Sequence, residues 1–302
     1  MVIWITLLTV FLAVGCGQGV REDQETGASE DSSGSQTRQE TTVRGDETTG
    51  GGSGSGLEKA NEAPFSAAPE MSGGSEGAAN DIMEVKFEQG EGFERAIVSF
   101  GSEGGPASGV PAWSLSSPEG EGYTRITFPD LESTMDSDGG FGGSILNNFY
   151  VVRAPDGGLF LDIYATGAFQ YRVTELSDPG RLVIDYRPAD VDLSFPTPVQ
   201  AQRTVLFEPR AGEAVSSPLK VIGYSRNPEA SNTIALLDAD GNVLAQSTVL
   251  ANDWLDTWGY FETSLEFPAF EGQATLRAGS ESSRNGSFEG VEEPVTYAGG
   301  SG

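Results

Sequence analysis

At about 100–200 residues per domain, a chain of 302 residues has room for one to three domains. Only 37% of its residues are hydrophobic, glycine occurs 41 times, and 45 acidic against 17 basic side chains leave a formal charge of -28, so part of the chain is expected not to fold. The lack of histidine excludes imidazole proton relays and His-containing zinc sites, and a single cysteine excludes an intramolecular disulfide and every Cys-cluster metal site. The charge also opposes a nucleic-acid partner, because a phosphate backbone is attracted to basic patches. Such acidity is equally the adaptation expected of proteins in concentrated salt and need not mark a cationic partner.

Residues Val2 to Val14 form an uncharged apolar run, too short for an ordinary transmembrane span and suited to the core of a signal peptide. It ends at Gly15-Cys16. The stretch Leu12-Ala13-Val14-Gly15-Cys16 resembles the bacterial lipobox, in which small residues precede a cysteine that receives diacylglycerol and becomes the new N-terminus after cleavage. Ala13 stands where that pattern usually has Leu, and no Lys or Arg precedes the apolar run. The resemblance implies a signal peptide over 1–15 and a lipidated Cys16 whose acyl chains, palmitate among them, hold the protein on a membrane at about 0.8 kcal/mol per buried methylene. The alternatives are an uncleaved anchor helix or a plain secretory signal.

From Gly17 to Asn80 the chain is Gly, Ser, Thr, Glu and Asp without hydrophobic periodicity, and Gly50 to Gly56 reads GGGSGSG. The segment 16–80 is therefore expected to be a disordered acidic tether, since isolated apolar side chains such as Leu57, Phe65 and Met71 cannot offset the entropy of ordering it.

After Asp81 short alternating or fully apolar runs are bounded by Gly, Pro, Asp and Asn, which is strand and turn grammar. Strands are expected at 83–88, 95–100, 123–128, 145–153, 159–166, 169–176 and 182–186, with a hairpin turn at Asp156-Gly157-Gly158. No amphipathic helix is expected anywhere. The segments Glu91 to Phe100 (EGFERAIVSF) and Pro179 to Pro188 (PGRLVIDYRP), with the strands between them, resemble the AMIN-like domain of exported proteins. The resemblance covers about 81–190 and implies a non-catalytic β domain that targets its carrier to peptidoglycan or the periplasm. Its core is expected to hold Phe93, Ile97, Phe100, Ile126, Phe160, Ile163, Leu182 and Ile184.

Pro188, Pro196 and Pro198 mark a stiff connector, placed at 191–202. A second strand series follows at 205–208, 219–224, 233–237, 243–249, 259–267, 274–278 and 292–297, the spacing of an immunoglobulin-like sandwich without its cystine. Phe207 to Ser225, Leu236 to Val249 and Trp258 to Pro268 are together similar to the immunoglobulin-like domain of bacterial spore-germination lipoproteins. That resemblance covers about 203–298 and implies an extracytoplasmic, non-catalytic sandwich. The fold class is thus all-β, two small sandwiches behind a signal peptide and a tether.

Asp136-Ser137-Asp138-Gly139 and Asp238-Ala239-Asp240-Gly241 both begin like a calcium loop, but neither has the Glu that would close it, so no metal site and no cofactor is expected. DADGN suits a hairpin turn equally well. Among the aromatic residues Trp113, Trp254, Trp258, Tyr260 and Phe261, Trp258 and Phe261 belong to the strand 259–267 or sit at its start and are expected in the core. Trp254 lies in a polar segment and is expected to cap the edge of a core, the alternative being a ligand contact with a glycan ring. Nothing selects a carboxylate pair for glycoside hydrolysis from so many acids.

The expectation is a non-catalytic binding or scaffolding lipoprotein on the extracytoplasmic face of the cell membrane, associated with peptidoglycan or another envelope protein and related to sporulation or germination. The alternatives are a carboxylate-dependent wall or glycan hydrolase, and a docking partner that another envelope protein reaches by strand addition at a free sheet edge. Replacing Cys16 by Ser is expected to leave an unprocessed or soluble species, read by precursor size and detergent-phase partitioning; an unchanged mature membrane form would refute lipidation.

Overall fold

Period-2 alternation builds strands wherever one face can be buried, and the computed structural model, which describes residues 54–298, is nearly all β. The expected signal peptide, Cys16 and the first part of the expected tether lie outside those residues. Helix α1 (Gly54–Ala60) is followed by β1 (Glu70–Gly73), β2 (Asp81–Gln89), β3 (Glu94–Ser102), β4 (Gly105–Pro106), β5 (Trp113–Ser116) and β6 (Tyr123–Phe128). Next come β7 (Ser133–Thr134), β8 (Asp138–Gly140), β9 (Leu146–Arg153), β10 (Leu159–Ala165), β11 (Phe169–Leu176) and β12 (Arg181–Pro188). The second half holds β13 (Val199–Ala201), β14 (Thr204–Glu208), β15 (Ala214–Val215), β16 (Leu219–Ser225), β17 (Ser231–Leu237), β18 (Val243–Leu250), β19 (Trp258–Leu265), β20 (Gln273–Glu281) and β21 (Phe288–Tyr297). Each expected strand coincides with one of these within a residue or two at its ends, except that β20 runs three residues beyond the expected 274–278 and β21 begins four residues before the expected 292–297.

One 10-stranded sheet runs β1-β5-β6-β10-β9-β19-β16-β14-β13, with β8 also on β9, and so belongs to both halves. A 6-stranded sheet, β11-β12-β3-β2-β7 with β4 beside β3, covers its first part, and a 5-stranded sheet, β15-β21-β20-β17-β18, covers its second. Two sandwiches result. The first encloses Phe100, Ile126, Phe128, Leu161, Ile163, Leu182 and Ile184. The second encloses Val221, Ile234, Leu236, Phe261, Leu276 and Val291. They join where β9 and β19 pair in parallel at Val152 with Trp258 and Arg153 with Gly259. In the β9–β10 hairpin the expected turn needs its glycine, because Gly158 has φ +74 and a Cβ there would lie 2.4 Å from the Phe128 carbonyl oxygen.

Strand β10, Leu-Phe-Leu-Asp-Ile-Tyr-Ala, is buried at every position. Leu159, Leu161 and Ile163 face the first core, while Phe160 and Tyr164 face the other way, into a third cluster with Tyr123, Tyr150, Val152, Val205, Tyr224 and Trp258. This third cluster fills the angle between the sandwiches, and Asp162 sits inside it with no exposed surface. Its carboxylate takes two hydrogen bonds from the Arg125 guanidinium, at 2.8 and 2.7 Å, and one from the Tyr224 hydroxyl at 2.6 Å. Arg125 also donates to the Tyr224 oxygen at 2.9 Å and lies 4.1 Å from the Phe160 ring centre. Burial and the neighbouring Asp162 charge both push the Tyr224 hydroxyl well above the usual tyrosine range, so it stays a donor.

Several expectations need correction here. Ile97 and Phe160 are buried, but on the outer faces of their sheets: Ile97 under α1 and Phe160 in the third cluster. Phe93 is only half-buried. Residues 54–80 are ordered where a tether was expected. Ala60 and Leu57 of α1 cover Ile97, Leu176 and Val183. Asn61 and Ala63 receive the Arg172 side chain, which with Arg95 grips the buried Asp185 at 2.7 and 2.6 Å. The Phe65 ring lies 4.4 Å from Arg172 and 4.5 Å from Arg187. Met71 sits in β1, which pairs with β5 and supplies backbone bonds that composition does not reveal. The expected connector 191–202 is likewise docked: Ala168 donates to the Leu193 carbonyl, Phe195 to the Thr166 carbonyl, and Val199–Ala201 is already β13.

Removing one partner of a buried ion pair leaves an uncompensated charge, which costs about 3–5 kcal/mol. Asp162→Ala is therefore expected to lower the urea-unfolding free energy by about that amount, and a change within about 0.5 kcal/mol, the size of a neutral surface substitution, would contradict the role given to this carboxylate.

Candidate functional site

A cleft of about 480 Å³ opens beside the junction of the sandwiches, lined by Asp138, Gln200, Gln202, Arg203, Arg226, Trp254, Leu255 and Trp258. That volume lies within the about 300–1,000 Å³ of small-molecule sites, which favour such junctions. A second cleft of about 550 Å³ is lined by Glu121, Glu208, Arg210, Glu213 and Lys220 among others. Its charges are already paired within the protein, Arg210 with Glu121 and Lys220 with Glu208 and Glu262, so it presents little unmet demand to a ligand.

One wall of the first cleft is the loop between β18 and β19. Asp253 organises it by accepting from the backbone N–H of Trp254 at 2.6 Å and of Leu255 at 3.0 Å, and from the Thr257 hydroxyl at 3.1 Å. Arg153, on β9 of the first sandwich, pairs with the same carboxylate at 3.2 Å. Asn252 adds a second tie, donating to the carbonyls of Arg153 and Ala154 and accepting from the Tyr260 N–H. The loop folds back so closely that a Cβ on Gly259 would lie 2.0 Å from the Asp253 carbonyl oxygen. The two ties hold Trp254 half-buried, packed on the second core as the capping reading expects, while it also lines the cleft.

The cleft is also lined by β13, the β13–β14 turn and the residue after β16. Gln202 has φ 53, a left-handed conformation uncommon outside glycine, asparagine and aspartate, and it carries the chain into the exposed Arg203. Arg226 is fixed by donating to the Ser137 hydroxyl at 3.0 Å and to the Leu255 carbonyl at 3.1 Å. The Asp138 carboxylate accepts from the Trp258 indole N–H at 3.0 Å and from the Ser137 hydroxyl at 2.9 Å. Gln200 accepts the Tyr150 hydroxyl with its side-chain oxygen at 2.7 Å, which leaves its amide N–H groups for other acceptors.

The two calcium-like segments are put to other uses. Asp136 accepts from the Val85 N–H at 2.9 Å, while Asp138 belongs to the cleft wall. Asp238 closes the β17–β18 hairpin by accepting from the backbone N–H of Asp240 and Asn242 and from the Asn242 side chain. Among the remaining aromatic residues, Trp113 and Phe261 are buried in the two cores and Tyr260 borders the third cluster. Arg203 and Arg226 were not singled out by the sequence. The one available signal was an arginine in the otherwise uncharged turn Val199-Gln200-Ala201-Gln202.

Residues 204–287 match the immunoglobulin-like domain of bacterial spore germination, which spans β14 to the turn before β21. No curated protein and no solved structure matches the chain.

Burial alone would raise the Asp253 carboxyl, but the hydrogen bonds from Leu255, Trp254, Thr257 and Asp256 outweigh it and hold the group below its ordinary value. A carboxyl lowered on folding stabilises above its unfolded pKa of about 3.9, and that stabilisation is lost as pH falls through the lower folded value. Asp253→Ala is expected to cost about 1–3 kcal/mol at neutral pH, the range for buried donors left unmet, with the deficit shrinking at pH values below the folded pKa. Denaturant unfolding followed by tryptophan fluorescence checks this, and a deficit independent of pH would contradict it.

Proposed function

We propose that the chain is a non-catalytic binding module of the bacterial cell envelope, held on the extracytoplasmic membrane face through Cys16. In this reading an AMIN-like first sandwich is followed by the germination-type immunoglobulin-like domain. The observation that carries it is the cleft: it lies beside a junction tied by β9–β19 pairing, by the Asp162 network and by Arg153–Asp253, as a ligand site on a rigid platform requires. The family match supports an extracytoplasmic module related to spore germination.

Five carboxylates held by dedicated donors are poorly suited to hydrolytic chemistry. Glycoside hydrolysis needs a carboxyl whose pKa is raised so that it can donate a proton. Burial raises the Glu94 carboxyl, but donors from Leu146, Ser144 and Ile145 outweigh it and leave the group below its ordinary value, and Asp238 and Asp253 are lowered too. Asp162 and Asp185 are enclosed by arginines.

Docking of another envelope protein is the second reading, favoured by β18. This strand ends the 5-stranded sheet, carries no charged residue in a chain of charge -28, and leaves Val243 56% and Leu250 67% exposed. An extended apolar segment of a partner would add to it by strand pairing.

Incubating the compact unit Gly51–Gly302 with purified wall material separates the readings. Retention on the wall without released sugars or peptides is the expected result. Released products would overturn the non-catalytic reading, and no retention would leave strand docking as the better account.

A further inference from the structure

Arg203 and Arg226 stand opposite each other just beyond the paired ends of β14 and β16. The ladder pairs Thr204 with Ser225, and one residue further on the Arg226 N–H donates to the Arg203 carbonyl at 2.9 Å. Like charges placed directly opposite on a sheet repel, so this arrangement works against the fold. Carboxylates are plentiful in the chain, 45 acids against 17 bases, and Arg95, Arg125, Arg153, Arg172, Arg210 and Arg277 each hold one. Among the described residues, Arg203 and Arg226 form no ion pair, as is also true of Arg181, Arg187 and Arg284, but these two alone line the cleft. Arg226 is held in place by neutral groups, the Ser137 hydroxyl and the Leu255 carbonyl, and Ser137 in turn donates to Asp138, so the nearest carboxylate reaches Arg226 only through a hydroxyl.

A cationic pair alone would suit any anion. The rest of the cleft is more selective. Trp254 offers an aromatic face, Gln200 keeps free amide donors, and the Asp138 carboxylate, bound through one oxygen to Trp258 and Ser137, accepts from hydroxyl groups. Asp138 also repels a second negative group. The lining thus offers a partner for one anionic group in the arginines, an aromatic side chain in Trp254, and partners for hydroxyls in Gln200 and Asp138.

We propose that this cleft binds a pyranose ring bearing a single carboxylate, which Arg203 and Arg226 take while Trp254 stacks on the ring and Gln200 and Asp138 meet its hydroxyls. The assignment rests on the reading of the molecule as a binding module and names the ligand class of that site.

Titration calorimetry and tryptophan fluorescence on Gly51–Gly302 test it with glucuronate, galacturonate and N-acetylmuramic acid, each against its neutral counterpart, and with inorganic phosphate and a tripeptide with a free C-terminal carboxylate. At least one sugar acid should bind tenfold or more tightly than its neutral partner and than phosphate or the tripeptide. Arg203→Gln, at an exposed position, should remove that preference with thermal unfolding unchanged or slightly higher, and Trp254→Phe should retain more binding than Trp254→Ala. Equal affinity for acid and neutral sugars, tighter binding of phosphate or the tripeptide, or no binding of any sugar acid would overturn the proposal. Wall retention alongside any of those results would leave the binding-module reading standing. Sugar-acid binding without wall retention would leave the cleft assigned and the envelope reading refuted.

Discussion

Asp162 is a charged residue in the middle of an otherwise apolar strand, with no exposed surface. A carboxylate so placed is tolerable only when its charge is matched and its lone pairs are filled. Arg125, across the β6–β10 ladder, supplies the charge and two of the bonds; Tyr224, from the second sandwich, supplies a third, and the Tyr164 hydroxyl adds a longer fourth at 3.3 Å. The requirement of one side chain therefore reaches across the boundary between the two halves. A hydrophobic cluster of Tyr150, Phe160, Tyr164 and Trp258 excludes water around it. The few backbone bonds between β9 and β19 are consequently one part of a broader seam, and the cleft beside Trp254 inherits its geometry from that seam.

The same device recurs on the far side of the first sandwich. Asp185, 1% exposed, is gripped by Arg95 and Arg172, and the free donors of Arg172 go to the backbone of Asn61 and Ala63. Glu94 accepts from the backbone of Ser144, Ile145 and Leu146 and fixes the entry to β9. In an acidic chain short of apolar residues, buried carboxylates with dedicated donors determine which segments meet, while apolar contacts provide the bulk of the burial.

The strands were legible because alternation is a local property, visible in Tyr123–Phe128 or Leu219–Ser225 without knowledge of their partners. The second sandwich was legible as a family resemblance, and the match over 204–287 agrees with it. Less of the boundaries could be read. Leu57 and Phe65 look stray in a Gly- and Ser-rich segment, and their value comes from Ile97, Val183 and Arg172, more than thirty residues away in the chain. The prolines near 196 suggested a free connector, but Phe195 packs over Gly122, a contact that no local pattern encodes. Strand β10 carried its own signal, since a fully apolar run interrupted by one Asp implies that both faces are covered and that a partner must exist for the charge. Trp254 could be singled out from its polar surroundings. The arginines that line the cleft with it could not, because only the fold brings them to the same cleft without a paired carboxylate.

The account depends most on the claim that the two sandwiches fold as one unit. Differential scanning calorimetry of Gly51–Gly302 at neutral pH tests this directly, since a single cooperative unit has equal calorimetric and van't Hoff enthalpies. One transition with matching enthalpies is the predicted result. Two separable transitions, or a calorimetric enthalpy well above the van't Hoff value, would show that the sandwiches unfold independently and that the Asp162 seam does not join them.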